Sequence, residues 1–120
     1  MFGLDKGELL LIQTILADYP EIERAVVFGS RAMGNNKAGS DFDLALLGKD
    51  VSHGTILSIY DQLNEISNLP YYFDITNYKE ILNEPLKKHI HDFGIPIWDK
   101  HDKTNDFIDL ITKTVIIPSW

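Results

Sequence analysis

The sequence predicts an α/β (α+β) domain, a small mixed sheet with helices packed on it. Three observations carry this. The short runs "RAVVFG", "DFDLALL" and "YYFDIT" have the length and the β-branched or alternating character of strands. Longer stretches between and around them repeat apolar residues at helical spacing. Glycine, proline and asparagine punctuate the junctions, where turns and helix ends need them. A chain of 120 residues, 44% hydrophobic, matches one domain and buries a core without disulfides or a structural metal.

The elements follow in order. "LDKGELLLIQTILADYP" reads as a helix, with Asp5 and Glu8 spaced as a capping box and Leu9, Ile12, Leu16 and Tyr19 recurring on one side. Pro20 marks its end. "RAVVFG" is a buried strand closed by Gly29, and "SRAMGNNKAGS" is turn-rich with one helical turn at Ser30–Met33. "DFDLALL" alternates, so Phe42, Leu44 and Leu46 face one way and Asp41, Asp43 and Ala45 the other. In "SHGTILSIYDQLNEISNLP" the apolar stripe is Ile56, Ile59, Tyr60, Leu63 and Ile66, stopped before Pro70. "YYFDIT" is a third strand, with Phe73 and Ile75 opposite Tyr72, Asp74 and Thr76. "NYKEILNEPLKKHIHDFG" is helical in two pieces, starting at Asn77 with Glu80 and again at Asn83 with Pro85, and closed by Gly94. "IPIW" is a last short strand. Residues 1–100 form the expected domain, and 101–120, polar and then apolar, a C-terminal extension without an assigned role.

Charge narrows the function. The net charge is −7 and the only arginines are Arg24 and Arg31, which disfavours binding driven by nucleic-acid phosphates. An acidic surface suits a basic protein partner and plain solubility equally. There is no cysteine, so neither a disulfide framework nor a thiolate metal site is available. No apolar run nears the roughly 18 residues a membrane span needs. The first residues lack the basic start of a secretory signal, and the expected location is the cytoplasm.

The chemistry sits in "FGSRAMGNNKAGSDFDLALLG". Residues i and i+2 of a strand share a face, so Asp41 and Asp43 point together and repel unless a cation lies between them. Mg²⁺ suits such a site, because it takes a few carboxylates plus phosphate oxygens and water. Asp74 on the third strand adds a carboxylate if the two strands are neighbours, and that set fits two-metal phosphoryl chemistry. Gly29 lets backbone approach a ligand, and Ser30 opens a turn whose N–H groups suit a phosphate. Arg31 stands beside that turn, as a phosphate contact or as surface charge. The stretch is not a P-loop, since Asn35 follows Gly34 where a lysine is required.

These residues resemble the signature of the DNA polymerase β-like nucleotidyltransferase superfamily: Gly29-Ser30, ten residues, then Asp41-Phe42-Asp43, with Ser40 before the first aspartate and Asp74 downstream. "FGSRAMGNNKAGSDFDLALL" is similar to the minimal nucleotidyltransferase antitoxins, encoded beside a HEPN-domain toxin, over residues 5–99. The resemblance implies the minimal polymerase β-like fold. It implies that Asp41 and Asp43 bind Mg²⁺, that Asp74 is third ligand or base, and that Gly29 and Ser30 contact the triphosphate of ATP. It further implies AMP transfer to a tyrosine hydroxyl of a HEPN ribonuclease, which neutralises it. Two alternatives stay open: a small-molecule adenylyltransferase, for which 120 residues leave little room for an acceptor domain, and an antitoxin that acts by binding alone.

Other residues read more blandly. His89 and His91 are two apart on a helix and share no face, so with Lys87 and Lys88 they form a solvated or partner-facing surface. Tyr71 and Tyr72 read as packing residues, with lining of the nucleotide pocket as Tyr72's alternative.

Overall fold

The computed structural model describes residues 2–37 and 39–101. The expected extension at 101–120 lies, apart from His101, outside the described residues. Eight elements build the domain: α1 (Lys6–Ala17), β1 (Arg24–Phe28), α2 (Ser30–Met33), β2 (Phe42–Leu47), α3 (His53–Asp61), β3 (Phe73–Asn77), α4 (Glu84–Phe93) and β4 (Ile95–Asp99). The sheet order is β3-β2-β1-β4. β1 is antiparallel to β2 and to β4, and β2 is parallel to β3. The sheet is mixed, as the sequence predicts. Pro96 is tolerated because β4 is an edge strand. No helix among the described residues is long and apolar enough to cross a membrane.

The local signals are used as chemistry dictates. Asp5 Oδ1 accepts from Glu8 N at 2.7 Å, and Asp5 N donates to Glu8 Oε1 at 3.1 Å, so both ends of the capping box close. Asn83 caps α4 by accepting from Leu86 N at 2.9 Å, with Pro85 in the first turn. Asn77 caps nothing. Its amide donates to Val51 O at 3.0 Å, and only a 3₁₀ turn, Tyr78–Glu80, follows it. Gly94 closes α4 in an extended conformation, not a left-handed one. Its missing Cβ matters because one would stand 2.4 Å from both Ile90 O and Val26 Cγ1, where the helix end meets β1.

Each face of the sheet has its own core. Leu9, Ile12 and Leu16 of α1 and Ile59 and Leu63 of α3 pack on Ala25, Val27, Phe42, Leu44, Leu46 and Phe73. The other face is covered more thinly, by Ile90 and Leu86 of α4 with Ile81 and Tyr78, against Val26, Phe28, Ala45 and Leu47. Ala45, expected to share the carboxylates' face, does so but is fully buried there under α4.

The stripe of α3 is broken at its end. A π-helical turn spans Gln62–Ile66, closed by Ser67 N to Gln62 O at 3.0 Å. This wider turn slips the helical phase. Leu63 stays buried, but Ile66, expected inward, is 63% exposed. Asn64 faces the sheet instead, with its amide on both backbone groups of Phe73: Phe73 N to Oδ1 at 2.8 Å and Nδ2 to Phe73 O at 2.9 Å.

Candidate active site

The carboxylates gather on the thinly covered face. β2 and β3 run side by side in the register Asp43↔Asp74. Across β1 the partner of Asp43 is Phe28. Asp41 precedes β2 rather than lying within it, and is exposed. The link is still strand-like, since Phe42 N donates to Tyr72 O at 2.8 Å. Asp43 is half-buried and its carboxyl is held above the usual range. Burial is the first cause; the neighbouring Asp74 and Asp41 charges follow, and His89 acts in the opposite sense.

Gly29 is fitted to this carboxylate. Its φ is +72°, a conformation that favours glycine, and a Cβ would stand 2.5 Å from Asp43 Oδ2. The backbone therefore turns from β1 into α2 directly against Asp43. Ser30 begins that short helix, half-buried at its first position.

Arg31 and Ser40 are brought together, Arg31 buried and Ser40 half-buried. Arg31 is 5% exposed, and its guanidinium lies 4.2 Å from the centre of the Phe42 ring and 5.4 Å from that of Tyr71. It donates from Nη2 to Ser40 O at 2.7 Å, from Nε to the same oxygen at 3.3 Å, and from Nη1 to Phe2 O at 2.9 Å. Ser40 Oγ accepts from Lys37 N at 2.9 Å. Both residues tie down the loop that delivers Asp41. Tyr71 completes the cluster by donating to Glu8 Oε1 at 2.9 Å, which links the loop to the start of α1.

Two side chains at the site were read otherwise in the sequence. His89 is half-buried, its ring edge-on to Phe28 with centroids 6.4 Å apart and 5.5 Å from Phe93. The signal was its place three residues from Leu86 and four from Phe93, on the flank of the packed stripe. Tyr72 is 48% exposed and edge-on to Tyr60 at 6.1 Å. Hydrogen bonding with Tyr60 raises its phenol pKa first, and the Asp74 and Asp41 charges contribute.

Among the described residues no three His, Cys, Asp or Glu side chains close into a ready-made metal cage. The Asp74 and Asp41 charges act on Asp43 against the opposing effect of His89. Carboxylates that close no cage leave any cation's shell to be completed by phosphate oxygens and water.

A match to the family model "Polymerase beta, Nucleotidyltransferase" spans residues 11–103. The chain belongs to the polymerase beta nucleotidyltransferase family. Solved structures agree on the nucleotidyltransferase fold. One, described as a toxin-antitoxin with AMP-PNP, aligns with TM-score 0.64 at 22% identity over 85% of this chain and 82% of that one. Two mutant forms of the MntA-HpeT toxin-antitoxin align with TM-scores 0.61 and 0.60 at 18% and 16% identity. They cover 91% and 89% of this chain and 82% and 83% of theirs. No curated protein matches the chain.

Proposed function

We propose that this nucleotidyltransferase is a Mg²⁺-dependent antitoxin that transfers AMP from ATP to a tyrosine hydroxyl of a partner HEPN ribonuclease toxin. The observation that carries the reading is the pairing of Asp43 with Asp74 in register, with Gly29 turned against Asp43. Clustered like charge on an otherwise half-covered sheet face has no packing purpose. Further support comes from the fold likeness to toxin-antitoxin chains, one of them described with AMP-PNP. A cytoplasmic location, where ATP and RNA are at hand, belongs to the same reading.

Asp41, Asp43 and Asp74 would hold the metal, which supplies charge neutralisation at the phosphates. Gly29 and Ser30 hold the triphosphate at the end of β1. Arg31 acts through Ser40, keeping the loop before Asp41 in place: it is buried, and three of its five N–H donors go to the carbonyls of Ser40 and Phe2. The acceptor oxygen attacks the α-phosphorus and forms the new O–P bond. The bond from that phosphorus to the bridging oxygen breaks, and pyrophosphate leaves with the electron pair. Asp74, exposed on the outer strand, takes the hydroxyl proton.

The test is an intact-mass spectrum of the neighbouring gene's product after incubation with this protein and Mg-ATP. The expected result is a gain of one or more AMP units, absent with the Asp41→Asn/Asp43→Asn variant. A stable complex without mass gain would instead make the protein a masking antitoxin. Neither gain nor complex would point to a small-molecule acceptor.

A further inference from the structure

His89 is a half-buried side chain at the site that this reading leaves unused. α4 crosses the face that carries Asp43, and its Leu86 and Ile90 seal the core beneath it. His89 flanks that seam, held between Phe28 and Phe93. Phe28 is the cross-strand partner of Asp43, so their side chains share a face. The order across this face is Asp74 on β3, Asp43 on β2, then Phe28 at the end of β1 with His89 of α4 against its ring, where the chain turns through Gly29 and Ser30.

We propose that His89 is a leaving-group contact, donating a ring N–H to the pyrophosphate as it departs from the nucleotide. The inference rests on the nucleotidyltransferase reading above. In-line displacement puts attacking and leaving oxygens on opposite sides of the α-phosphorus. Asp74, as proton acceptor, marks the acceptor side, and the β1 flank is the other. There the electron pair of the broken P–O bond and its developing charge need donors. The arginine that the sequence offers for this is buried, with three of its five N–H donors on the carbonyls of Ser40 and Phe2. On α4 itself, Lys87 lies over the Tyr78 ring at 5.5 Å and Lys88 pairs with Asp92 at 2.7 Å. A neutral imidazole carries one N–H donor, so the contact needs no protonation.

The test is calorimetric binding of Mg-ATP, Mg-pyrophosphate and AMP to the full chain and two variants. His89→Phe keeps a ring between Phe28 and Phe93 but has no donor. His89→Gln keeps a donor without the ring. The expected result is that His89→Phe binds Mg-pyrophosphate and Mg-ATP about 10-fold or more weakly with AMP unchanged. His89→Gln stays within about threefold of the parent protein for all three. Unchanged pyrophosphate binding by His89→Phe overturns the inference. So does an equal loss of AMP binding, which would place the ring beside the nucleoside. A parent protein that binds no Mg-ATP breaks the underlying reading, whereas one that binds it with both variants unaffected breaks only this contact.

Discussion

The two faces of the sheet obey different rules. Under α1 and α3 the packing is apolar and dense, and Leu16, Ile22, Leu46, Ile59 and Leu63 are fully buried. Under α4 the core is small, and beside it two aspartates stand in register while a third flanks them. One strand, β2, serves both: Phe42 and Leu44 point into the first core while Asp43 points out of it. The first face holds the fold together. The second face gives up packing to keep clustered carboxylates. A residue's place on one face or the other therefore decides whether its loss is felt in stability or in chemistry.

Asp43→Asn breaks the comparison most sharply, because it should harm function and help the fold. Transfer should fall on the order of 1,000-fold. Stability without metal should move the other way. A carboxyl held above its usual range keeps its proton longer folded than unfolded. Stability therefore drops as pH rises from the usual carboxylate range through the raised value, and the ionised group is a burden above it. The variant should melt higher than the parent protein at pH 7 in chelator, with the gap closing as pH falls into the usual carboxylate range. A variant that melts lower at pH 7 would mean that Asp43 is a structural anchor.

Leu16→Ala and Leu86→Ala measure the faces against each other. Leu16 is 0% exposed, and truncation should cost about 2–5 kcal/mol in denaturant unfolding. Leu86 is half-buried at the edge of the small core, and its loss should cost about 1 kcal/mol. Equal costs would show that α4 is as firmly seated as α1.

Much of this was legible in the sequence where short-range rules act. The capping box at Asp5, the proline start of α4 and the alternation in β2 each specify local geometry. The convergence of Asp43 and Asp74 followed from one assumption, that β2 and β3 are neighbours, and the register bears it out. What was not legible depends on packing partners distant in sequence. Arg31 is drawn inward by Phe42, Tyr71 and two carbonyls, none of which its own neighbourhood announces. His89 reads as a surface residue until Phe28 is placed beneath it. Ile66 loses its place in the stripe to a π turn, and no periodicity count foresees a change of period.

That π turn sets the subtlest test, because it joins the two faces. Asn64 lies on the α3 side of the molecule yet holds both backbone groups of Phe73, the residue before Asp74. Among the described residues β3 is an edge strand, and no strand pairs with these groups on their outer side. Asn64 thus stands in for a missing strand and fixes the outer edge next to the third carboxylate. Asn64→Ala should destabilise by about 1–2 kcal/mol, since two backbone groups lose their partner. If Asn64 also positions Asp74, transfer should fall about 10-fold while Mg-ATP binding is kept, so the loss appears in kcat and not in KM. A stability loss with kcat intact would confine Asn64 to the fold. A kcat loss without destabilisation would show that the π turn is retained to aim one aspartate.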